Sequence, residues 1–479
     1  MADALRPSTL LDQLRAGDRS RLQAVRRRPR PDAPATGRPE HRRPPRQEAR
    51  TFRLLLHLDQ SDPPIWRLVD VRSDLTLDAA HRVIQAAFGW EDRHLHRFSL
   101  GGYPFDLDSQ LFLCPFDLEE KEPDDDGSPA ADVRLDETLQ EPADVLRYVY
   151  DYGDSWEVTV VLSAVLDVEP GSPVARFVDG ERAAPPEDSG GAVDRAALAL
   201  VLDDPDHLDV AAVDASFASP PLRLTGLRAD PRLVDLLVAT ESFPPTRGLA
   251  GAVADALESP SALTDAQLAD ALTPHRWFLD RAADEPIRLT SAGYLRPGDV
   301  MAVAPLVPTL WEWIGANNRE SHAIPLLELR RTLRTHGLLR TVNGELHLTN
   351  AGRAAQNDPR LLWEHLATRL VPAGTGFDAT ATLLLLAHAA ATPDRPPAYD
   401  VVGSLLGDLG WVHDDGTATD GYDVRWLPAS TVLRNMVLGG RPQEHRSLLG
   451  DRPVGAAAGA LARDTLLGTS RSVGAATHR

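Results

Sequence analysis

Three phrases decide the fold of the first half of the chain: PPIWRLVDV at residues 63–71, TLDAAHRVIQAAFGWEDRHLHRF at residues 76–98, and YVYDYGDSWEVTV at residues 148–160. Before the first, FRLLLHLD at residues 52–59 has the apolar density of a buried strand, and Pro63-Pro64 turns it into a second strand over residues 65–71. Thr76 then stands at the N-cap of a helix over residues 77–88, which Gly89 ends in the left-handed conformation. Leu77, His81, Ile84 and Phe88 share one face of it. Residues 94–100 alternate as a strand that sends His94, His96, Phe98 and Leu100 to one side. Residues 147–150 and 156–165 form an antiparallel pair joined at DYGDS, with Trp156, Val158, Val160 and Leu162 on a common face. Strands and a helix in this order, with no βαβ rhythm, predict an α+β domain with a mixed or antiparallel sheet.

Working outward, residues 1–50 are expected to be a disordered, Arg/Pro-rich arm, because residues 26–50 have almost no large apolar side chain to offset the entropy of ordering. Residues 8–25 offer only a short or broken helix around Gly17. Residues 118–136, with Asp124, Asp125 and Asp126, predict a solvated loop, and a helix over residues 192–202 closes a domain spanning 51–215. A helical bridge occupies 216–260. Beyond it the chain becomes mainly α, as two helical domains over 261–370 and 371–468 and a disordered tail over 469–479. The clearest unit there runs over residues 324–353: a helix with Leu326, Leu329 and Leu333 inward, a stop at Gly337, and two short strands around Asn343-Gly344, the strongest short-range hairpin signal. Helix followed by hairpin is winged-helix-like. RLTSAGYL at residues 288–295 and HLTNAGRA at residues 347–354 hint at a repeat of this unit, and residues 401–427 at a looser third copy.

Composition narrows the function. The chain has 479 residues, 43% of them hydrophobic and 25% charged, within the range of globular proteins. A net charge of -20 argues against a surface given over to nucleic acid, although local basic patches remain compatible with it. Cys114 is the only cysteine, so no intrachain disulfide or CxxC site can form. The apolar run around residues 383–391 is too short to span a bilayer. A cytoplasmic location and no membrane partner are expected. No Walker loop, GxGxxG, GxSxG or HExxH is present, so no nucleotide or organic cofactor is expected.

PPIWR at residues 63–67, the helix with His81, FGW at 88–90, HLHRF at 94–98, YDYGDSW at 150–156 and PPEDSGG at 185–191 resemble, in this order, the plasmid pRiA4b ORF-3-like family over roughly residues 52–215. The family often carries cysteines around the PPED phrase. Ala184 and Ser189 stand there in this chain, which weakens any thiol or metal role for that loop. The resemblance implies a non-enzymatic accessory or regulatory protein of plasmids and mobile genetic elements.

His81, His94 and His96, with Asp151, Asp154 or Glu187, have the ligand chemistry of a divalent-metal site. The competing reading makes them structural members of apolar faces. If the domain is instead a metal-dependent hydrolase or other enzyme, His81, Asp151, Asp154 and Glu187 are its catalytic candidates. Asp151 and Asp154 also suit plain turn chemistry around Gly153. In the helical half, Arg330, Arg331 and Arg334 are expected on the helix face opposite the leucines, with Arg340 and Arg353 around the hairpin. DNA or another protein is the expected partner there.

Overall fold

The structure is a computed structural model that describes residues 38–120, 126–259, 263–311, 313, 315–439 and 452–468. The helix expected over residues 8–25 and the tail over 469–479 lie outside these residues. The chain divides into two compact units, one ending at Gly226 and the other beginning at Leu227.

The first unit is an α+β domain built on an eight-stranded mixed sheet of order β5-β4-β3-β6-β7-β1-β2-β8. Its strands are β1 (Thr51–Leu58), β2 (Ile65–Arg72), β3 (His96–Leu100), β4 (Gln110–Leu113), β5 (Gly127–Pro129), β6 (Val145–Tyr150), β7 (Trp156–Leu166) and β8 (Ala175–Glu181). Only β4 and β5 pair in parallel. Helix α1 (Leu77–Phe88) ends, as expected, at Gly89 with φ 72°. Thr76 occupies the N-cap position but does not cap the helix, because its hydroxyl turns to the Asp78 carboxylate. Leu77, Val83, Ile84 and Phe88 of α1 join Leu54, Leu56, Phe98, Tyr148, Trp156, Val158, Val160 and Leu162 in one core. Period-two alternation sends Leu55, Trp66, Leu68 and Val161 to a smaller cluster.

Arg67, the arginine of PPIWR, is 1% exposed. It donates to the carbonyls of Ala87 (2.9 Å), Trp66 (2.8 Å) and Glu181 (2.9 Å), and its guanidinium lies over the Phe88 ring. Burial pushes its pKa down to about 10. The cation thus sits at the carbonyl end of α1, where the helix dipole favours it.

Several expectations need correction. Residues 38–50 are packed against the domain: Arg38 bonds the carbonyls of Asp106 (2.6 Å) and Ser109 (3.0 Å), and Arg43 bonds Asp144 (2.6 Å). The arginines offset the ordering entropy that the missing apolar side chains cannot. Residues 118–136 are not simply a loop, since they include β5 and the helix Leu135–Thr138, with Asp136 fully buried. The helix expected over 192–202 shrinks to Arg195–Leu198. The described residues of the bridge expected over 216–260 are helical, as expected, but divide between the two units. Helices α2 (Val210–Phe217) and α3 (Pro220–Gly226) complete the first unit, whereas α4 (Pro231–Thr240) and α5 (Leu249–Glu258) belong to the second.

The second unit is mainly helical, and the two domains expected over 261–370 and 371–468 form one body. After α6 (Thr273–Asp284) come β9 (Ile287–Arg288), α7 (Pro297–Val303), α8 (Ile324–Thr335), and a hairpin of β10 (Leu339–Val342) and β11 (Glu345–Leu348). The three strands pair in the order β10-β11-β9. Asn343 and Gly344 turn the hairpin at φ 50° and 79°, as their residue types predict. Helix α9 (Asn350–Gln356) follows at once, and a Cβ on Gly352 would lie 2.1 Å from the Leu338 carbonyl oxygen. The apolar run near residue 385 falls in α10 (Phe377–Ala391), buried almost all round as a core helix. It packs against α4, α5, α11 (Tyr399–Asp408) and α13 (Ala456–Leu466), while α12 (Pro428–Arg434) packs on α8. No helix among the described residues is long and apolar enough to cross a membrane. The repeat does not hold for the second copy, since RLTSAGYL is a turn closed by a Leu289–Leu295 bridge whereas HLTNAGRA ends a strand and starts a helix at the Thr349 cap. Residues 401–427, however, repeat the first copy's turn with a Val412–Ala418 bridge.

Candidate functional site

The N-terminal candidates gather at the end of the sheet where β3 begins, β6 ends and β7 begins, with His96 opposite Tyr150 and Tyr150 opposite Trp156. They form two groups. In the first, His81 of α1 is held at both ring nitrogens, by the Tyr148 hydroxyl (2.8 Å) at Nδ1 and by the Asp92 carboxylate (2.8 Å) at Nε2. Gln85 Nε2 donates to the same hydroxyl (3.0 Å), and Gln85 Oε1 accepts the Asp92 N–H (3.0 Å). The four residues therefore close a ring of hydrogen bonds, through both the carboxylate and the backbone N–H of Asp92. With Gln85 donating to Tyr148, the neutral arrangement has Tyr148 donating to His81 Nδ1 and His81 Nε2–H donating to Asp92.

His96 stacks on His81 with ring centroids 3.5 Å apart and planes 7° off parallel. Its Nε2 is buried without a hydrogen bond. Burial, with His81 and Arg82 nearby, drives its pKa well below the usual histidine range, so the ring stays neutral. Burial likewise raises the Tyr148 phenol far above its ordinary value. This group is structural in chemistry: apart from His96 Nε2, its named polar atoms are spent on one another.

The second group lies in the loops. Because β3 starts at His96, His94 falls in the preceding loop and faces different neighbours from His96, contrary to the alternation read over 94–100. It is also only partly buried, against the expectation of a core residue. Its Nε2 lies 3.1 Å from Asp188 Oδ1 and 3.6 Å from Asp151 Oδ2, yet is buried and hydrogen-bonded to neither. Asp151 uses Oδ1 to accept the N–H groups of Gly153 (2.9 Å) and Asp154 (3.2 Å), the turn chemistry its position suggested. Asp154 instead accepts the Gly190 N–H (2.9 Å) and anchors the PPEDSGG loop.

That loop is fastened along its length. The Trp90 indole donates to the Pro185 carbonyl (3.0 Å), and Glu187 accepts from the Glu91 N–H (2.9 Å) and from the Tyr150 hydroxyl. Burial first, and the bond to Glu187 second, push the Tyr150 pKa up. Tyr150 Oη also accepts the Arg93 N–H (2.8 Å). Glu187 is therefore committed to the fold, while Asp188 is left exposed beside His94.

Thus His81, His94, His96, Asp151 and Asp154 do not converge in one cleft. Metal-type ligand atoms meet at His81, Asp92 and His96, and again at His94, Asp151 and Asp188. Asp92 and Asp188 were not singled out as ligands from sequence, although both lie in the WED and PPED phrases that stood out. Nothing local revealed which histidine each would face.

In the second unit, Arg331, Arg334, Arg340 and Arg353 are exposed. Arg330 is not: its guanidinium bonds Glu320 through Nε (2.6 Å) and NH2 (2.9 Å), and both side chains are buried. Arg330 is withdrawn as a DNA contact, since the helix turns it toward Glu320 and the Gly293 carbonyl.

Together the sheet, the covering helix and the stapled PPED loop define an α+β domain organised around a buried aromatic and histidine network. Residues 50–218 match the model of the family described as plasmid pRiA4b ORF-3-like protein, and the chain beyond residue 218 lies outside the match. The chain is 29% identical over 161 residues to uncharacterized protein y4hQ of Sinorhizobium fredii (strain NBRC 101917 / NGR234), covering 33% of this chain and 76% of that protein. It is also similar to the crystal structure of the protein of unknown function MM3350 from Methanosarcina mazei Go1, with 25% identity and a TM-score of 0.29 over 34% of this chain and 96% of the other.

Proposed function

We propose that the protein is an accessory or regulatory protein of mobile-element type, whose second unit contains, over residues 273–356, a winged-helix module that docks on duplex DNA. The observation that carries this reading is the exposed stripe of α8. Ile324, Arg331, Arg334 and Thr335 face solvent along it, and Arg340 is exposed in the hairpin that follows. The order α6, β9, α7, α8, β10, β11, with β11 central in the small sheet, supports the module: its last helix would enter the major groove and its hairpin would lie on the backbone. Charge supports it as well. Residues 273–356 hold ten arginines against eight carboxylates, whereas the whole chain carries -20. The plasmid-borne character named in the family description is the ground for the mobile-element role.

The test is a titration of the full chain on labelled mixed-sequence duplex at low and moderate salt. Binding should weaken with salt, and Arg331→Ala with Arg334→Ala should lower the salt slope by about one unit for each phosphate no longer neutralised. Absence of binding at low salt, where electrostatic attraction is strongest, refutes the reading.

A further inference from the structure

We propose that His94, Asp151 and Asp188 form a binding site for one divalent transition-metal ion of the zinc or manganese class. One atom from each side chain lies within 4.8 Å of the other two. The two separations from His94 Nε2, 3.1 Å and 3.6 Å, match those imposed by a shared ion. Bonds of about 2.1 Å place adjacent ligands about 3.0 Å apart in an octahedron and about 3.4 Å apart in a tetrahedron.

A second observation is independent of proximity. His94 Nε2 is buried and makes no hydrogen bond, although two carboxylates stand within reach, so its lone-pair direction is not spent on either. Asp151 is oriented for the same role, because Gly153 and Asp154 occupy Oδ1 and leave Oδ2 toward His94. Asp188 is exposed, which leaves remaining coordination positions open to water. The imidazole ligand favours borderline-soft zinc over magnesium or calcium, while the two carboxylates also suit manganese.

The neighbouring His81, Asp92 and His96 do not compete for this role. Both nitrogens of His81 are held by hydrogen bonds, and rings stacked 3.5 Å apart and nearly parallel aim their in-plane lone pairs side by side, not at a common point.

Isothermal titration of the full chain, stripped with chelator and dialysed, against zinc chloride and manganese chloride tests the site. Stoichiometric one-to-one binding by at least one ion is expected. Asp188→Asn should weaken it at least tenfold, and this variant keeps the fold because Asn tolerates the φ of 57° found there. His94→Gln should weaken it comparably, whereas Asp92→Asn should leave it unchanged. Cobalt(II) added in place of zinc should give a visible spectrum that shifts in Asp188→Asn. No stoichiometric binding by either ion overturns the proposal. So does binding that survives both His94→Gln and Asp188→Asn, or that is abolished in Asp92→Asn alone. None of these outcomes depends on DNA binding by the second unit.

Discussion

Arg330→Ala separates a structural arginine from those available to a partner. In the folded protein Glu320 is a fully buried carboxylate that accepts two hydrogen bonds from Arg330 and one from the Leu295 N–H (2.7 Å). Truncating Arg330 leaves that charge with only the backbone donor and removes the donor to the Gly293 carbonyl. Removing two charge-assisted hydrogen bonds at about 1.5–3 kcal/mol each agrees with the roughly 3–5 kcal/mol measured when one partner of a buried ion pair is deleted. Arg331 provides the contrast: its bond to Glu328 (2.7 Å) is an exposed i,i+3 pair. Such a pair contributes about 0.3–0.5 kcal/mol. With two compact units, a single melting temperature would mix them, so hydrogen exchange over residues 287–348 during denaturant titration is the appropriate assay. Arg330→Ala should destabilise that region by about 3–5 kcal/mol and Arg331→Ala by less than about 0.5. Arg330→Met with Glu320→Leu should recover most of the loss, because removing both charges leaves none uncompensated. A loss below about 1 kcal/mol in Arg330→Ala would refute the buried-pair reasoning.

Trp156 is completely buried, and Trp156→Ala should cost about 3–5 kcal/mol in denaturant unfolding of the first unit; unchanged stability would remove Trp156 from the core. Gly352→Ala should destabilise the second unit more than Gly344→Val, because a Cβ at residue 352 collides with the Leu338 carbonyl, whereas at 344 it meets open space and only the left-handed backbone opposes it, at about 1–2 kcal/mol; the reverse order in hydrogen exchange would contradict this. Burial depresses the pKa of His275 to about 3 and of His336 to about 4. Below the unfolded value near 6.5, the unfolded chain takes up protons that the folded chain refuses. Each histidine therefore removes about 1.4 kcal/mol of stability per pH unit, down to its folded pKa, and contributes no pH dependence above the unfolded value. His275→Leu should flatten the stability profile of the second unit between pH 4 and 6, and an unchanged slope would show that His275 titrates normally in the fold.

Much of the fold was legible because its signals are local. Alternation fixes which residues of a strand share a face, Gly89 ends a helix through its own backbone freedom, and Asn343-Gly344 turns a hairpin without help from elsewhere. The place of Trp156 in the core followed from the same periodicity. Pairings between distant residues were not legible in this way. Residues 38–50 look incapable of order by composition, yet their arginines find carbonyls and carboxylates scattered from Asp106 to Asp144. Arg330 stands four residues after Leu326 and three before Leu333, so helical spacing already sets it at the edge of the leucine face, but its partner Glu320, ten residues earlier, could not be read from that spacing. The candidate site shows the same division. Sequence alone determined that histidines and carboxylates cluster in the HLHRF, DYGDS and PPED phrases, because residue type and spacing are written in the chain. Only the tertiary structure decided that His96 stacks on His81 while His94 meets Asp151 and Asp188, because β3 begins between the two histidines and the PPED loop arrives from more than 90 residues away. Which atoms a side chain faces depends on where the sheet ends and which loop closes over it, and neither is encoded within the few residues around that side chain.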